Sequence, residues 1–158
     1  MSEVASNLTR FRYEPDEAHP GWHSWAQHDD QGFARVLGPM RVRTEDAADG
    51  KPRLRLRMDP VRGHSNMLGT VHGGVTLTLV DLSLFAAIRL VLGGDGDGAV
   101  TLDLSTQFFG SGRAGQPLDS VVEVLRETGR LVFLRGLVEQ EGASIVAFSA
   151  TVRKPTQR

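Results

Sequence analysis

The sequence predicts an α+β fold in which an antiparallel sheet of about six strands wraps around one long buried helix. The helix is predicted between residues 72 and 92, where apolar side chains occupy every side of a helical wheel. Strand-like segments stand on both sides of it, two before and four after. The 18 glycines among the 158 residues fall mostly at the turns between these segments and at the two ends of the helix.

The elements follow one another in the order β-β-α-β-β-β-β. The most regular strand is 53–58, where Leu54, Leu56 and Met58 face one way and three arginines face the other, which predicts a half-buried strand with a solvated arginine face. In the first strand, Gly38 and Pro39 must cause a bulge or place the strand at an edge. The predicted strands are 33–43, 53–58, 99–109, 118–128, 131–140 and 143–153.

Residues 33–158 are predicted to form this domain, and residues 1–32 an N-terminal arm. The arm is polar and contains Pro15 and Pro20, so an irregular or partly helical conformation is expected. Trp22 and Trp25 are its large apolar side chains, and both are expected to dock on the main body of the protein.

Composition excludes several classes of protein. The 18 basic residues balance 19 acidic ones, which argues against nonspecific binding to nucleic acid or to an anionic membrane. The absence of cysteine excludes disulfides, thiolate catalysis and cysteine-type zinc sites. The polar N-terminus has no apolar segment of the kind found in secretion signals, so a cytoplasmic location is expected.

The start of the predicted helix and the aspartate within it are candidates for chemistry. Gly73 and Gly74 leave the first helical N–H groups uncovered, where an anion or a polarised carbonyl can bind. Asp81 is a carboxylate in an apolar helix, with no basic residue three or four positions away. A structural ion pair with a distant arginine is the alternative explanation. Eight residues of helix place the two features about 12 Å apart. One small reacting group can contact both only if two subunits share the site.

The motif Asn66-x-x-Gly69-x-x-His72-Gly-Gly-x6-Asp81, leading into a long apolar helix, resembles that of the PaaI-like hotdog-fold acyl-CoA thioesterases. The resemblance implies that the Gly73 N–H and the Asn66 side chain bind the thioester carbonyl and its oxyanion. It also implies that Asp81 of the other subunit acts as general base on water, or as nucleophile through an anhydride.

Further roles follow from the same resemblance. Thr101 would hold the attacking water beside the carboxylate, and His72 would shape the turn or contact the leaving group. Arg113 matches a position where basic residues meet the phosphates of coenzyme A. Phe85 departs from relatives that have serine there, which implies a more apolar acyl pocket. That pocket is expected to form from Phe85, Phe108, Phe109 and the tryptophans of the arm.

The sequence therefore predicts an acyl-CoA thioesterase that acts on an aromatic or medium-chain acyl group. It is expected to be a homodimer, or a homotetramer made of two dimers, and to need no metal and no redox cofactor. One alternative is a non-catalytic acyl-CoA sensor or carrier, which would not need a carboxylate beside its ligand. A second is an enoyl-CoA hydratase, because Asp59 and His64 have a separation that hydratases of this fold use. The residues between these two lack the asparagine-proline pair of the hydratase signature.

Overall fold

The computed structural model describes residues 11–27, 32–94 and 96–155, and these form an α+β fold as predicted. One long helix, α1 (Gly73–Leu90), stands in the chain between the fourth and fifth strands. The strands are β1 (Phe11–Arg12), β2 (His23–Gln27), β3 (Met40–Asp46), β4 (Pro52–Met58), β5 (Val100–Phe108), β6 (Leu118–Glu127), β7 (Leu131–Gln140) and β8 (Ala143–Arg153).

The strands form a single antiparallel sheet in the order β1-β2-β3-β4-β6-β7-β8-β5. The strands β6, β7 and β8 follow one another as hairpins, and the β7–β8 turn places Glu141 and Gly142 at φ angles of 51° and 79°. Such a pair of left-handed residues is typical of a two-residue hairpin turn. The chain passes from β4, inside the sheet, to β5, at its edge, by way of α1, so the helix lies across one face.

The core lies between α1 and this inner face of the sheet. Leu54, Leu56 and Met58 of β4 are fully buried there, together with Leu79 and Leu84 of the helix. In the described part of the chain, α1 is the one helix long and apolar enough to cross a membrane, and half of it is buried against the sheet. It is therefore the core helix of the domain, as its apolar wheel predicted.

The predicted first strand, 33–43, is wrong in its first half. Phe33–Leu37 form a short 3-10 helix, and β3 begins only at Met40. Gly38 lies between them with φ 70°, a conformation that extended strands do not use. Pro39 has no N–H to donate to a neighbouring strand. Sheet pairing therefore starts after this glycine-proline pair.

The arm supplies two strands, which is why the sheet has eight strands and not about six. The predicted irregular or partly helical conformation is wrong for residues 11–12 and 23–27, which are strands, whereas residues 13–22 between them are irregular as predicted. The predicted docking of the tryptophans is confirmed: Trp25 is buried in the core, and Trp22 lies between the guanidinium groups of Arg43 and Arg57, 4.4 and 4.5 Å from its ring centre. The division of the chain into an arm at 1–32 and a domain at 33–158 stays a prediction.

Two of the three arginines on the outward face of β4, Arg55 and Arg57, form ion pairs. For these two residues the prediction of a solvated face is wrong. Arg55 donates hydrogen bonds to Glu45, Asp119 and Glu139, and Arg57 donates two to Asp119. We call this group the outer-face network. Hydrogen bonds from Arg55 lower the pKa of Glu45 below its usual value, although partial burial opposes that shift. These arginines therefore neutralise the carboxylates of neighbouring strands.

Candidate active site

A tight turn precedes the helix and is held by Asn66. The Asn66 side-chain oxygen accepts hydrogen bonds from the backbone N–H groups of Leu68 and Thr70, at 2.9 and 3.2 Å, and its Nδ2 donates to the Thr70 hydroxyl at 3.0 Å. Gly69 completes the turn with φ 77°. Met67 and Leu68 stand fully exposed at its tip. Asn66 thus shapes the entry to the helix, and one of its two Nδ2 protons is used in doing so.

The helix begins at Gly73, with His72 as its N-cap. The His72 ring Nδ1 accepts a hydrogen bond from the Gly74 N–H at 2.9 Å. Among the described residues the Gly73 N–H makes no hydrogen bond, so it is a donor at the positive end of the helix dipole. A methyl group added at Gly73 would lie 3.7 Å from the Phe108 ring, an ordinary contact.

Asp81 lies on α1, eight residues after Gly73, and is half-buried. Its Oδ1 accepts a hydrogen bond of 2.7 Å from the hydroxyl of Thr101, at the start of β5. Within residues 11–27, 32–94 and 96–155 no basic side chain pairs with it. The carboxylate therefore has one hydroxyl donor and spare acceptor capacity.

A cavity of about 300 Å³ opens beside this carboxylate. It follows the face of α1 that carries Asp81, Phe85 and Arg89, and Leu82 also lines it. Its other walls are Phe11 and Trp25 of the arm and the loop 96–99. A half-buried acid beside a cavity that combines aromatic walls with charged side chains is typical of an enzyme site for a small molecule.

Arg113 lies at the Gly73 end of the helix. Its backbone forms a bridge with Thr70, and its N–H donates to the side-chain oxygen of Gln140 at 2.7 Å, which fixes the loop after β5. The Arg113 side chain itself is exposed. It is free to meet an anionic group beside the turn that Asn66 holds.

The structure brings together some of the predicted site residues and separates others. Asp81 and Thr101 are in contact, whereas Asn66, His72, Gly73 and Arg113 cluster at the start of the helix, about 12 Å away by helical rise. Phe108 and Phe109 are exposed near Gly73 and do not line the cavity beside Asp81.

Arg89 and Phe11 are among the cavity residues that sequence reasoning missed. Arg89 follows Asp81 and Phe85 at successive four-residue intervals, and that helical spacing was a signal that could have found it. Phe11 lies in a strand of two residues, which is too short to show periodicity, so no sequence signal indicated it.

The hydratase alternative finds little support in the geometry. Both ring nitrogens of His64 are bound to backbone groups, Nδ1 to the Val61 N–H at 2.9 Å and Nε2 to the Val36 carbonyl at 2.6 Å. Asp59 is ion-paired with Arg41. Among the described residues no cluster of histidine and carboxylate side chains could hold a metal ion.

Comparison with known proteins shows the family. The family model described as Thioesterase superfamily matches residues 68–147. Acyl-coenzyme A thioesterase 13 of Homo sapiens is 31% identical over 104 residues, which are 65% of this chain and 69% of that protein. The chain therefore belongs to the thioesterase superfamily.

Solved structures agree with this assignment. Zebrafish thioesterase superfamily member 2 is 28% identical, with a TM-score of 0.65 over 79% of this chain and 88% of that one. The PaaI protein from the phenylacetic acid degradation operon of E. coli shares the fold, with 19% identity and a TM-score of 0.62 over 77% of this chain and 86% of its own. The predicted hotdog fold and the resemblance to the PaaI-like thioesterases are confirmed.

Proposed function

We propose that the protein hydrolyses an acyl-CoA thioester, with an aromatic or medium-chain acyl group, to the free acid and coenzyme A. The observation that carries the proposal is the Asp81 carboxylate, held by Thr101 and lining a cavity with aromatic walls. Membership of the thioesterase superfamily supports the reaction class, and the name of the human relative supports coenzyme A as the carrier of the acyl group.

Each residue of the proposed site has its own role in the reaction. Asp81 accepts a proton from water as the water adds to the thioester carbonyl, and Thr101 holds the carboxylate in place. The resulting oxyanion accepts hydrogen bonds from the Gly73 N–H and the remaining Nδ2 proton of Asn66. The intermediate then expels the thiolate, which takes the proton from Asp81. Direct attack by Asp81 to form an anhydride uses the same residues, with water entering in a second step.

The site is proposed to form between two subunits that pair through β5. This strand is an edge of the sheet, and most of its side chains are exposed, Val100, Leu102 and Phe108 among them. A long unpaired edge strand with exposed apolar side chains is suited to pairing with another chain. In an antiparallel pair related by a two-fold axis, the Thr101 end of one β5 meets the Phe108 end of the other. Since Phe108 lies against Gly73, Asp81 then faces Gly73 of the partner subunit.

Other features of the proposal concern partners and location. Arg113, exposed beside the Asn66 turn, would contact the phosphates of coenzyme A. His72 would keep the Gly73 donor in place through its bond to Gly74. We propose no metal or redox cofactor, no nucleic-acid partner, and a cytoplasmic location without membrane attachment, since the apolar helix is used in the core. We also propose that two such dimers associate into a homotetramer.

The reaction is tested by following thiol release from a panel of aromatic and straight-chain acyl-CoA thioesters, with one acyl-carrier-protein thioester included. We expect turnover on at least one acyl-CoA and none in the Asp81→Asn variant above a low residual rate. Binding of acyl-CoA by the wild type without thiol release on any member would identify a sensor or carrier and end the enzyme proposal.

The shared site is tested by mixing two inactive variants, Asp81→Asn and Gly73→Pro. Proline is tolerated at the first position of a helix and removes only the N–H, and the preceding His72 has the extended conformation that proline requires (φ −61°, ψ 136°). A hybrid dimer rebuilds one intact site, so re-associated mixtures should recover about a quarter of the wild-type rate. Gly73→Ala, which keeps the N–H, is the matched control. A mixture as inactive as its components would place the whole site within one subunit.

A further inference from the structure

The cavity beside Asp81 has a wall that lies outside the part of the chain matched by the family model. That match spans residues 68–147, whereas Phe11 and Trp25 belong to β1 and β2. The two rings stack on each other with centres 4.9 Å apart and planes at 26°. The arm therefore brings an aromatic surface to the same cavity onto which the Asp81 carboxylate faces.

Contact with the helix fixes Phe11 in this position. The guanidinium carbon of Arg89 lies 4.3 Å from the centre of the Phe11 ring, a cation–π contact, and Arg89 is almost completely buried. Phe11 is thus held between Trp25 on one side and Arg89 on the other. A strand of two residues has few backbone hydrogen bonds of its own, so these ring contacts keep it against the helix.

The cavity also has a polar end. Arg89 lies two turns after Asp81, about 12 Å along the helix axis, and forms an ion pair with Asp97 of the following loop. An alkyl chain that reached this point would have to cover the part of Asp97 that is still exposed or displace the ion pair, and both are costly. The volume of about 300 Å³ is roughly twice that of a cavity known to hold benzene.

From these contacts we infer that the cavity between Asp81 and Arg89 binds the acyl group, and that Phe11 of the arm is a specificity-determining residue that limits its size. The inference rests on the proposed thioesterase function and deepens it. It assigns the acyl group a compact body, one aromatic ring or a medium-length chain, whose thioester end lies at Asp81 and whose far end stops at the Arg89–Asp97 pair.

The experiment compares chain-length profiles of the wild type with those of two variants that change the cavity in opposite directions. Phe11→Ala removes the Phe11 ring from the wall that the arm supplies and leaves Trp25 in place. Ala99→Leu fills the cavity from the loop side. Thiol release is measured with acetyl-, butyryl-, hexanoyl-, octanoyl-, dodecanoyl- and hexadecanoyl-CoA. Binding of the corresponding free acids is measured in parallel, so that selectivity can be determined without hydrolysis. Phe133→Ala, on the outer face of the sheet, is the matched control.

We expect Phe11→Ala to raise kcat/KM for dodecanoyl-CoA relative to hexanoyl-CoA by about tenfold or more, because a pocket wall typically discriminates by such factors. Ala99→Leu should shift the optimum toward butyryl-CoA, and Phe133→Ala should leave the profile unchanged. Folding of each variant is checked by its thermal midpoint. Should Phe11→Ala fail to fold, Phe11→Leu takes its place, and Ala99→Leu independently tests whether the acyl group occupies the cavity.

Two kinds of failure can be told apart. Active enzymes whose chain-length order is the same in all four proteins would overturn the inference and leave the thioesterase proposal intact. Acid-binding profiles that shift with Phe11 in a protein that releases no thiol would retain the cavity assignment and reject the reaction. Profiles that shift equally in Phe133→Ala would show a general effect of destabilisation, which also overturns the inference.

Discussion

Asp81 and Asp119 are carboxylates on opposite sides of the same sheet, and their surroundings differ in kind. Asp119, on β6, is buried in the outer-face network and accepts hydrogen bonds of 2.7–2.9 Å from three nitrogens of Arg55 and Arg57. Asp81, on the core helix, is half-buried and accepts one bond, from the Thr101 hydroxyl, beside a cavity.

The difference supports a structural role for Asp119 and the proposed chemical role of Asp81. Three charge-assisted hydrogen bonds occupy most of the acceptor positions of Asp119 and join β6 to β4. The bonds from Arg55 to Glu45 on β3 and to Glu139 on β7 extend the network to four strands. Asp81 has one neutral donor, so it can still accept a proton or a hydrogen bond from water. Spare acceptor capacity next to an accessible cavity, and not burial alone, makes Asp81 the candidate for the proposed chemistry.

Asp81→Asn gives the sharpest test of the comparison. The amide oxygen can still accept the Thr101 hydrogen bond but cannot take a proton, so we expect kcat to fall about 10²–10⁴-fold. The free energy of unfolding, measured by urea denaturation, should remain near that of the wild type. A variant with nearly full activity would contradict the assigned role of Asp81, even if the protein is a thioesterase.

Asp119→Asn should lower stability and leave activity unchanged, the reverse of Asp81→Asn. It leaves two partly buried guanidinium groups without their shared partner, and breaking such buried pairs typically costs about 3 kcal/mol or more. Urea denaturation should show this loss, while kcat of the folded protein stays unchanged. The matched control is Asp59→Asn, because Asp59 is largely exposed and its pair with Arg41 is worth about 1 kcal/mol at most. Equal losses in both variants would contradict the structural role given to the network.

Thr101→Val removes the single hydroxyl that Asp81 has as a partner. Hydrogen bonds to charged groups contribute about 1.5–3 kcal/mol, so we expect kcat to fall at least about tenfold. Valine is a residue that β-strands favour, so the free energy of unfolding should stay near that of the wild type. Thr101→Ser, which keeps the hydroxyl, should retain most of the activity. A loss of equal size in the serine variant would mean that the methyl group, and not the hydroxyl, is what matters.

The smallest expected effect is a dependence of stability on acid through Glu45. Its pKa is lower in the folded protein than in the unfolded chain, mainly because Arg55 donates hydrogen bonds to the ionised form. The stabilisation is therefore fully present above the unfolded pKa of about 4.3 and is lost as the pH falls through the folded pKa. Urea midpoints should be flat between pH 7 and about pH 5 and decline below that, less steeply in Glu45→Gln. Identical slopes in the two proteins would remove Glu45 from the acid response.

The regular parts of the fold could be predicted because their signals are local. The apolar wheel of α1 and the alternation of 53–58 each lie within one segment, and so does the motif from Asn66 to Asp81. The ion pairs of the β4 arginines could not be predicted, because Asp119 is 64 residues from Arg55 and sheet register decides the contact. Phe11 was missed for a similar reason. Its strand has only two residues, and tertiary contacts with Trp25 and Arg89 place its ring beside the cavity.

The two ends of the sheet are very unequal, and this bears on how many copies can assemble. One edge is β1, with two residues, and the other is β5, with nine. A sheet with two long open edges can add copies indefinitely and grow into a fibre. Among the described residues, β5 is the only extended edge of each copy, so the proposed pairing through β5 would leave no second long edge and growth would stop at two. The arm that lines the proposed acyl cavity would thus also limit the sheet to a closed pair.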